Sequence, residues 1–320
     1  MGVLYLDRKQ VALRLEGSRL RIDEPGQRPR HLPLAVVERI VALGEVTLDT
    51  RLLARLGEQR IDLLCLGGRR HRQVALVSGP AHADARRRLA QYRLAGDKEL
   101  RLQWSRRLVA HKLRAQRATL LGLLERRPDC RLTLRKAAER VAAALAALAE
   151  TGELDVVRGV EGSAARAYYQ GLAEALPPAL GFTGRTRRPP RDPVNAVLSL
   201  SYTLLHGEAV TACRVVGLDP LLGFFHEPAY GRESLACDLI EPLRPRVDAW
   251  VYERFAERDL RPEHFRQDGQ ACLLAKEARA GYFPAYELIA RPMRRYLRRS
   301  GHLLAKKLLA AAPDLAEVDA

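Results

Sequence analysis

The chain has 320 residues, with 54 Lys and Arg against 38 Asp and Glu, a formal net charge of +16. A hydrophobic content of 47% excludes wholesale disorder, and this length buries a core large enough for two ordinary domains. The charge excess calls for an anionic partner such as a nucleic acid. Five dispersed cysteines without a CxxC pair exclude a disulfide framework and a zinc ribbon, and fit reduced thiols in a cytoplasmic protein. No uncharged run of membrane-spanning length occurs, so no membrane partner is expected.

Short periods dominate the first 80 residues. Val3–Asp7, Gln10–Glu16 and Arg19–Ile22 alternate or run apolar between charged turns, as strands do. Leu34–Leu43 and Arg51–Gln59 read as short helices, the second with Thr50 as N-cap. Ile61–Leu66 is a compact apolar run and Gln73–Val77 another strand, after which Ser78-Gly79-Pro80 breaks the pattern. Long amphipathic helical patterns follow over 82–95, 98–127, 131–151, 158–175, 193–206, 208–217, 234–255 and, in pieces, 270–312. Asp192-Pro193 has the form of an N-cap followed by an N1 proline. The expected fold is α+β: a small β-rich domain over 1–79, then a larger all-α domain over 80–320.

One stretch of the helical part, Gly223–Pro245, concentrates chemistry-bearing residues. An apolar run carries His226 into a loop that Pro228, Gly231 and Arg232 keep from being helical. Leu235, Leu239 and Leu243 then recur at helical spacing, and Asp238 and Glu241, three apart, share one flank of that helix. An imidazole with one or two carboxylates is a mixed N/O set that suits Mg2+ or Mn2+ better than a thiolate-rich zinc site. A third contributor is needed. Glu161 stands in a run of small residues, Gly162 to Ala165, that lets a ligand approach the backbone. Each residue also has a plain structural explanation: a carboxylate complementing a helix dipole, a loop histidine beside two Phe, a solvated helix flank.

In combination these words are specific. Glu-Gly-x-x-Ala-Arg-x-Tyr (161–168) precedes Arg-Arg-Pro-Pro-x-Asp-Pro-Val-Asn-Ala (187–196). Gly-Phe-x-His (223–226), Gly-Arg-x-Ser-Leu (231–235) and Asp-Leu-x-Glu-Pro-x-Arg-Pro (238–245) follow in that order. The series resembles the CRISPR-adaptation integrases, the family of the first-numbered Cas protein, over most of the chain. The resemblance implies that Glu161, His226 and Glu241 bind a divalent ion, with Asp238 a further acidic residue beside it. It places Arg232 toward the substrate phosphate. It implies metal-dependent insertion of short duplex DNA into a CRISPR array, by attack of a 3′-hydroxyl on a phosphodiester, and nuclease action on branched DNA. It further implies a homodimer, the N-terminal domain serving dimerisation, joined in a heterohexamer by a small ferredoxin-like adaptation partner, the second-numbered Cas protein.

Other basic stretches are candidates for holding duplex DNA. Arg185, Arg187, Arg188 and Arg191 make a compact positive loop stiffened by proline beside the proposed site. Arg86–Arg88, then Arg106, Arg107, Lys112 and Arg114, stripe the first helices, and Arg294, Arg295, Arg298, Arg299, Lys306 and Lys307 the last. Aromatics are sparse at 6%, which argues against a stacking platform for single strands. Two other functions share these features: a metal-dependent nuclease for branched DNA without integration, and a non-catalytic DNA-binding scaffold. The scaffold leaves converging carboxylates in a basic protein without a compensating cation.

Overall fold

The computed structural model describes residues 2–67, 72–186 and 189–315. Up to Ala81 the chain is mostly strand: β1 (Gly2–Leu6), β2 (Val11–Glu16), β3 (Arg19–Asp23), β4 (Arg30–Pro33), β5 (Val37–Ala42), β6 (Val46–Leu48), then helix α1 (Thr50–Glu58), β7 (Asp62–Gly67) and β8 (Arg72–Val77). They form two four-stranded sheets, ordered β1-β5-β7-β8 and β4-β3-β2-β6. Inward residues alternate as the pleat requires, Val11 and Leu13 on β2 and Leu20 and Ile22 on β3, and all join one core.

Two details differ from the sequence reading. Residues 34–43, expected to be helical, are a 3-10 turn at Leu34–Val36 followed by β5. β5 pairs in parallel with both β1 and β7. β5 is buried along its length except at Glu38, Arg39 included, so it carries no strict alternation, and a short run of that kind is ambiguous between strand and helix. The cap of α1 is Asp49, one residue before Thr50, its carboxylate accepting from Leu52 N at 2.7 Å.

The remainder is helical: α2 (Arg86–Ala95), α3 (Lys98–Arg126), α4 (Arg131–Ala147), α5 (Leu154–Ala175), α6 (Pro193–Val215), α7 (Ser234–Ile240), α8 (Arg244–Ala256) and α9 (Lys276–Ala310). α6, expected as two helices, continues through a buried Gly207. Its N-cap is Asp192, which accepts from Asn195 N at 2.8 Å, with Pro193 at N1 as expected. The helix expected over 234–255 is interrupted by a 3-10 turn at Glu241–Leu243, where Pro242 has no N–H to donate.

The expectation of an all-α second domain needs one correction. An antiparallel hairpin, β9 (Phe265–Asp268) with β10 (Ala271–Leu274), lies between α8 and α9. Gly269, with φ of 61°, supplies the left-handed residue of its two-residue turn.

Spatially the chain forms two units. One takes the residues up to Ala81 together with Phe283–Glu287; the other runs from His82 to Tyr282 and resumes at Leu288. Among the described residues no helix is long and apolar enough to cross a membrane.

Candidate functional site

Every described residue of the site lies in the helical unit. The loop between α6 and α7 is held by Asp238, whose carboxylate is buried against it. Oδ2 accepts from Phe224 N at 2.7 Å and Phe225 N at 3.0 Å, and Oδ1 accepts from His226 N at 3.0 Å. Oδ1 also lies 2.6 Å from His226 Nδ1. Gly223 makes this approach possible, because a Cβ there would stand 2.6 Å from Asp238 Oδ2 and 2.8 Å from the Ser234 carbonyl. From the other side, Arg101 on α3 donates to Phe224 O at 3.2 Å and Arg158 on α5 to Phe225 O at 2.9 Å. Both guanidiniums also bond Glu227, at 2.7 and 2.6 Å. The imidazole is thus fixed from three helices. Its Nδ1 is committed to a carboxylate, and Nε2 is the nitrogen left for a ligand or a proton.

The other two expected ligands meet on a lysine. Lys112 Nζ, from the middle of α3, donates to Glu161 Oε1 at 2.5 Å and also to Glu241 Oε2. The ammonium side chain is 9% exposed, with Glu161 at 18% and Glu241 at 6%. Arg244 Nε donates to the other oxygen of Glu241 at 2.8 Å. Burial alone would raise the Glu241 carboxyl, but Arg244, Lys112 and His226 outweigh it and hold the group well below the usual carboxylate range. Burial likewise opposes charge on Lys112, and Glu241 and Glu161 reverse it, so the lysine titrates above its ordinary value.

A buried polar layer supports Arg244. Its guanidinium lies over the Tyr202 ring, 4.5 Å from the centroid, and that of Arg185 lies at 5.4 Å. Tyr202 donates its hydroxyl to Asp248, which also accepts from Tyr168 at 3.0 Å. Burial pushes the Asp248 carboxyl up to about 6 even though both tyrosines bond its ionised form.

Glu161 and Glu241 therefore share one cation. Asp238 sits beneath His226, where its oxygens accept from the loop, with His226 close enough to bear on Glu241. Among the described residues no cluster of three or more His, Cys, Asp or Glu groups is gathered as a metal site, and the partner common to the two glutamates is the ammonium. Glu161 lies in the body of α5 rather than at a helix start, so a dipole role, confined to the first turn, does not account for it. Arg232 is exposed and reaches back to Glu227 O at 3.3 Å. Arg185 is turned inward, donating to Asn195 Oδ1 at 2.7 Å and Ser199 Oγ at 3.0 Å, so it braces the connector. Arg191 is exposed, and Arg187 and Arg188 lie outside the described residues.

Two charged residues of this cluster, Lys112 and Arg244, do not stand out from the sequence pattern. The sequence pattern puts Lys112 in the basic stripe, yet Leu102, Ser105, Val109, Leu113, Gln116 and Leu120 mark the buried face of α3, and Lys112 falls on it. A charged residue in register with that face is the signal that would have found it. Arg244 carried a weaker one, being three residues from Glu241 across a proline.

The donor chemistry fits a hard divalent cation. Two carboxylates already converge on one positive charge, and an imidazole with its Nδ1 side held by a carboxylate stands beside them.

Comparison with known proteins agrees with this architecture. The family model for the CRISPR-associated protein Cas1 matches residues 4–288. A CRISPR-associated endonuclease Cas1 of Thermodesulfovibrio yellowstonii is 34% identical over 314 residues, 97% of this chain and 98% of that protein. Among solved structures, a Cas1 protein from Thermotoga maritima superposes with a TM-score of 0.84 at 23% identity, covering 97% of both chains. A casposase bound to its integration product gives 0.82 at 23% identity, covering 96% of this chain and 91% of that one. A Cas6-RT-Cas1–Cas2 complex gives 0.81 at 22%, covering 97% of this chain and 35% of that one. At these identities the structural likenesses carry the fold, while the family match and the curated relative, which span most of the chain, carry the kinship: the protein belongs to the Cas1 family of CRISPR-associated endonucleases.

Proposed function

We propose that the protein is a metal-dependent DNA endonuclease and integrase that inserts short duplexes into a CRISPR array. The observation that carries this reading is the convergence of Glu161 and Glu241 on a single cation, beside an imidazole whose Nδ1 side is held by Asp238. Glu161, Glu241 and His226, through Nε2, would hold Mg2+ or Mn2+. When bound, such an ion supplies Lewis-acid polarisation of a phosphate and stabilises an attacking or leaving oxygen. Asp238 keeps the ring oriented, and Arg244 keeps Glu241 ionised. In the joining step the 3′-hydroxyl oxygen of the incoming duplex bonds to the phosphorus of a target phosphodiester. The bond to the target strand's own 3′-oxygen breaks, and that oxygen departs as a hydroxyl. With water as the attacking group the same site is a nuclease. No Ser or Cys nucleophile is involved.

Of the described members of the expected DNA contacts, Arg232 and Arg191 are exposed and are the ones assigned to DNA, whereas Arg185 is turned inward. The homodimer and the heterohexamer with the second-numbered Cas protein rest on the family resemblance. The test mixes protein, Mg2+ or Mn2+, a labelled duplex with 3′-hydroxyls and a supercoiled plasmid bearing a CRISPR array, with and without the partner. Wild type is expected to join label to plasmid, and Glu161→Ala to join none. Cutting of branched DNA that Glu161→Ala abolishes, without joining, would select the repair-type nuclease instead. DNA binding without chemistry from either protein would leave the scaffold.

A further inference from the structure

Lys112 is a basic residue placed where a DNA-facing role does not explain it. Its side chain is buried on the inner face of α3 and spends its charge on two carboxylates of the same protein. A buried carboxylate beside a half-buried one is costly without a cation, and here the positive charge comes from two unlike sources. Arg244 holds Glu241 through Oε1, three residues along the chain and backed by the Tyr202 ring. Lys112 holds Oε2, and also Glu161 Oε1, from the end of a flexible four-carbon stem. A guanidinium packed on an aromatic ring stays in place; an ammonium is a compact, strongly hydrated point charge that withdraws by rotating its own stem.

We propose that Lys112 is a tethered rival of the divalent ion: its ammonium takes the Glu161 and Glu241 oxygens that the ion requires, and loading the site exchanges one cation for the other. This rests on the reading of these residues as a metal centre. It gives the protein a site that is charge-compensated and folded without metal, at a cost in affinity. Only the fraction of molecules with Lys112 withdrawn is competent to bind, and the apparent affinity falls by that fraction.

The experiment titrates Mn2+ into the purified full chain without DNA, following free Mn2+ by electron paramagnetic resonance, for wild type, Lys112→Met, Lys112→Gln and Glu161→Gln. Thermal melting is recorded in EDTA and in Mn2+. Both Lys112 variants are expected to bind at least about tenfold more tightly than wild type, because the competent fraction becomes the whole population. They should melt earlier than wild type in EDTA and gain more from Mn2+. Lys112→Gln keeps a donor for the carboxylates and serves if Lys112→Met fails to fold. If Glu161→Gln loses Mn2+ binding while the Lys112 variants bind no more tightly than wild type, the metal centre stands and the rivalry is overturned. If none of the four proteins binds Mn2+, both readings fall.

Discussion

Asp238 Oδ1 stands 2.6 Å from His226 Nδ1 while the same carboxylate accepts from three successive backbone amides of the loop that carries the ring. One side chain thus sets both the backbone and the orientation of the imidazole. Asp238→Asn is expected to keep the volume but lose the charge that these donors converge on. Cleavage of branched DNA should fall about 10- to 100-fold, the usual effect of losing a group that orients a ligand. Kinetics at saturating Mg2+ would check it, and unchanged turnover would refute a positioning role.

Gly223 tests the same geometry from the backbone. Gly223→Ala would drive a Cβ into Asp238 Oδ2 and the Ser234 carbonyl, neither of which can retreat without breaking the loop. A loss of about 1–3 kcal/mol is expected, as for overpacking elsewhere. Gly122→Ala, in the body of α3 with nothing within 4 Å, should instead gain about 0.5–1 kcal/mol. Chemical denaturation of the two variants side by side separates the predictions.

Asp248 carries a pH signature. Its carboxyl, pushed up to about 6 by burial, stabilises the fold while protonated, and that stability is lost as pH rises from about 4 through about 6. A shift of this size corresponds to about 3 kcal/mol. Asp248→Asn keeps an acceptor for one tyrosine and should be nearly flat over that window, so the stability difference between variant and wild type should move with pH. A constant difference would show that Asp248 does not titrate there.

His206 on α6 gives the opposite end of the range. Burial opposes its charge, but Cys237 and the Glu233 carboxylate, at 2.7 Å, raise the ring to about 9. A raised imidazolium contributes stability that is complete below about 6.5 and is lost as pH rises through about 9. His206→Gln should remove that alkaline loss. Denaturation midpoints between pH 6 and 10 would show it.

Much of the fold was legible because local periodicity records which face of an element is buried. The alternation in β2 and β3 and the long helical periods after Pro80 needed only neighbours two to four residues apart. β5 was not legible, because a strand covered on both faces carries no alternation. The β9–β10 hairpin is not legible although Gly269 opens its turn, since two four-residue strands are too short to show a period against the long helix that follows.

The sequence by itself determined the division into a strand-rich and a helical part, and the choice of Glu161, His226, Asp238 and Glu241 as the residues to watch, by type and by the order of their flanking words. Only the tertiary structure decided how they are employed: Asp238 under the imidazole, Glu161 and Glu241 on one ammonium, Arg185 turned inward to Asn195 and Ser199. The reason is physical. Amphipathic spacing is set by short-range geometry along one element, whereas the pairing of Lys112 with Glu161 and Glu241 depends on three segments far apart in the chain packing so closely that buried charges must compensate one another.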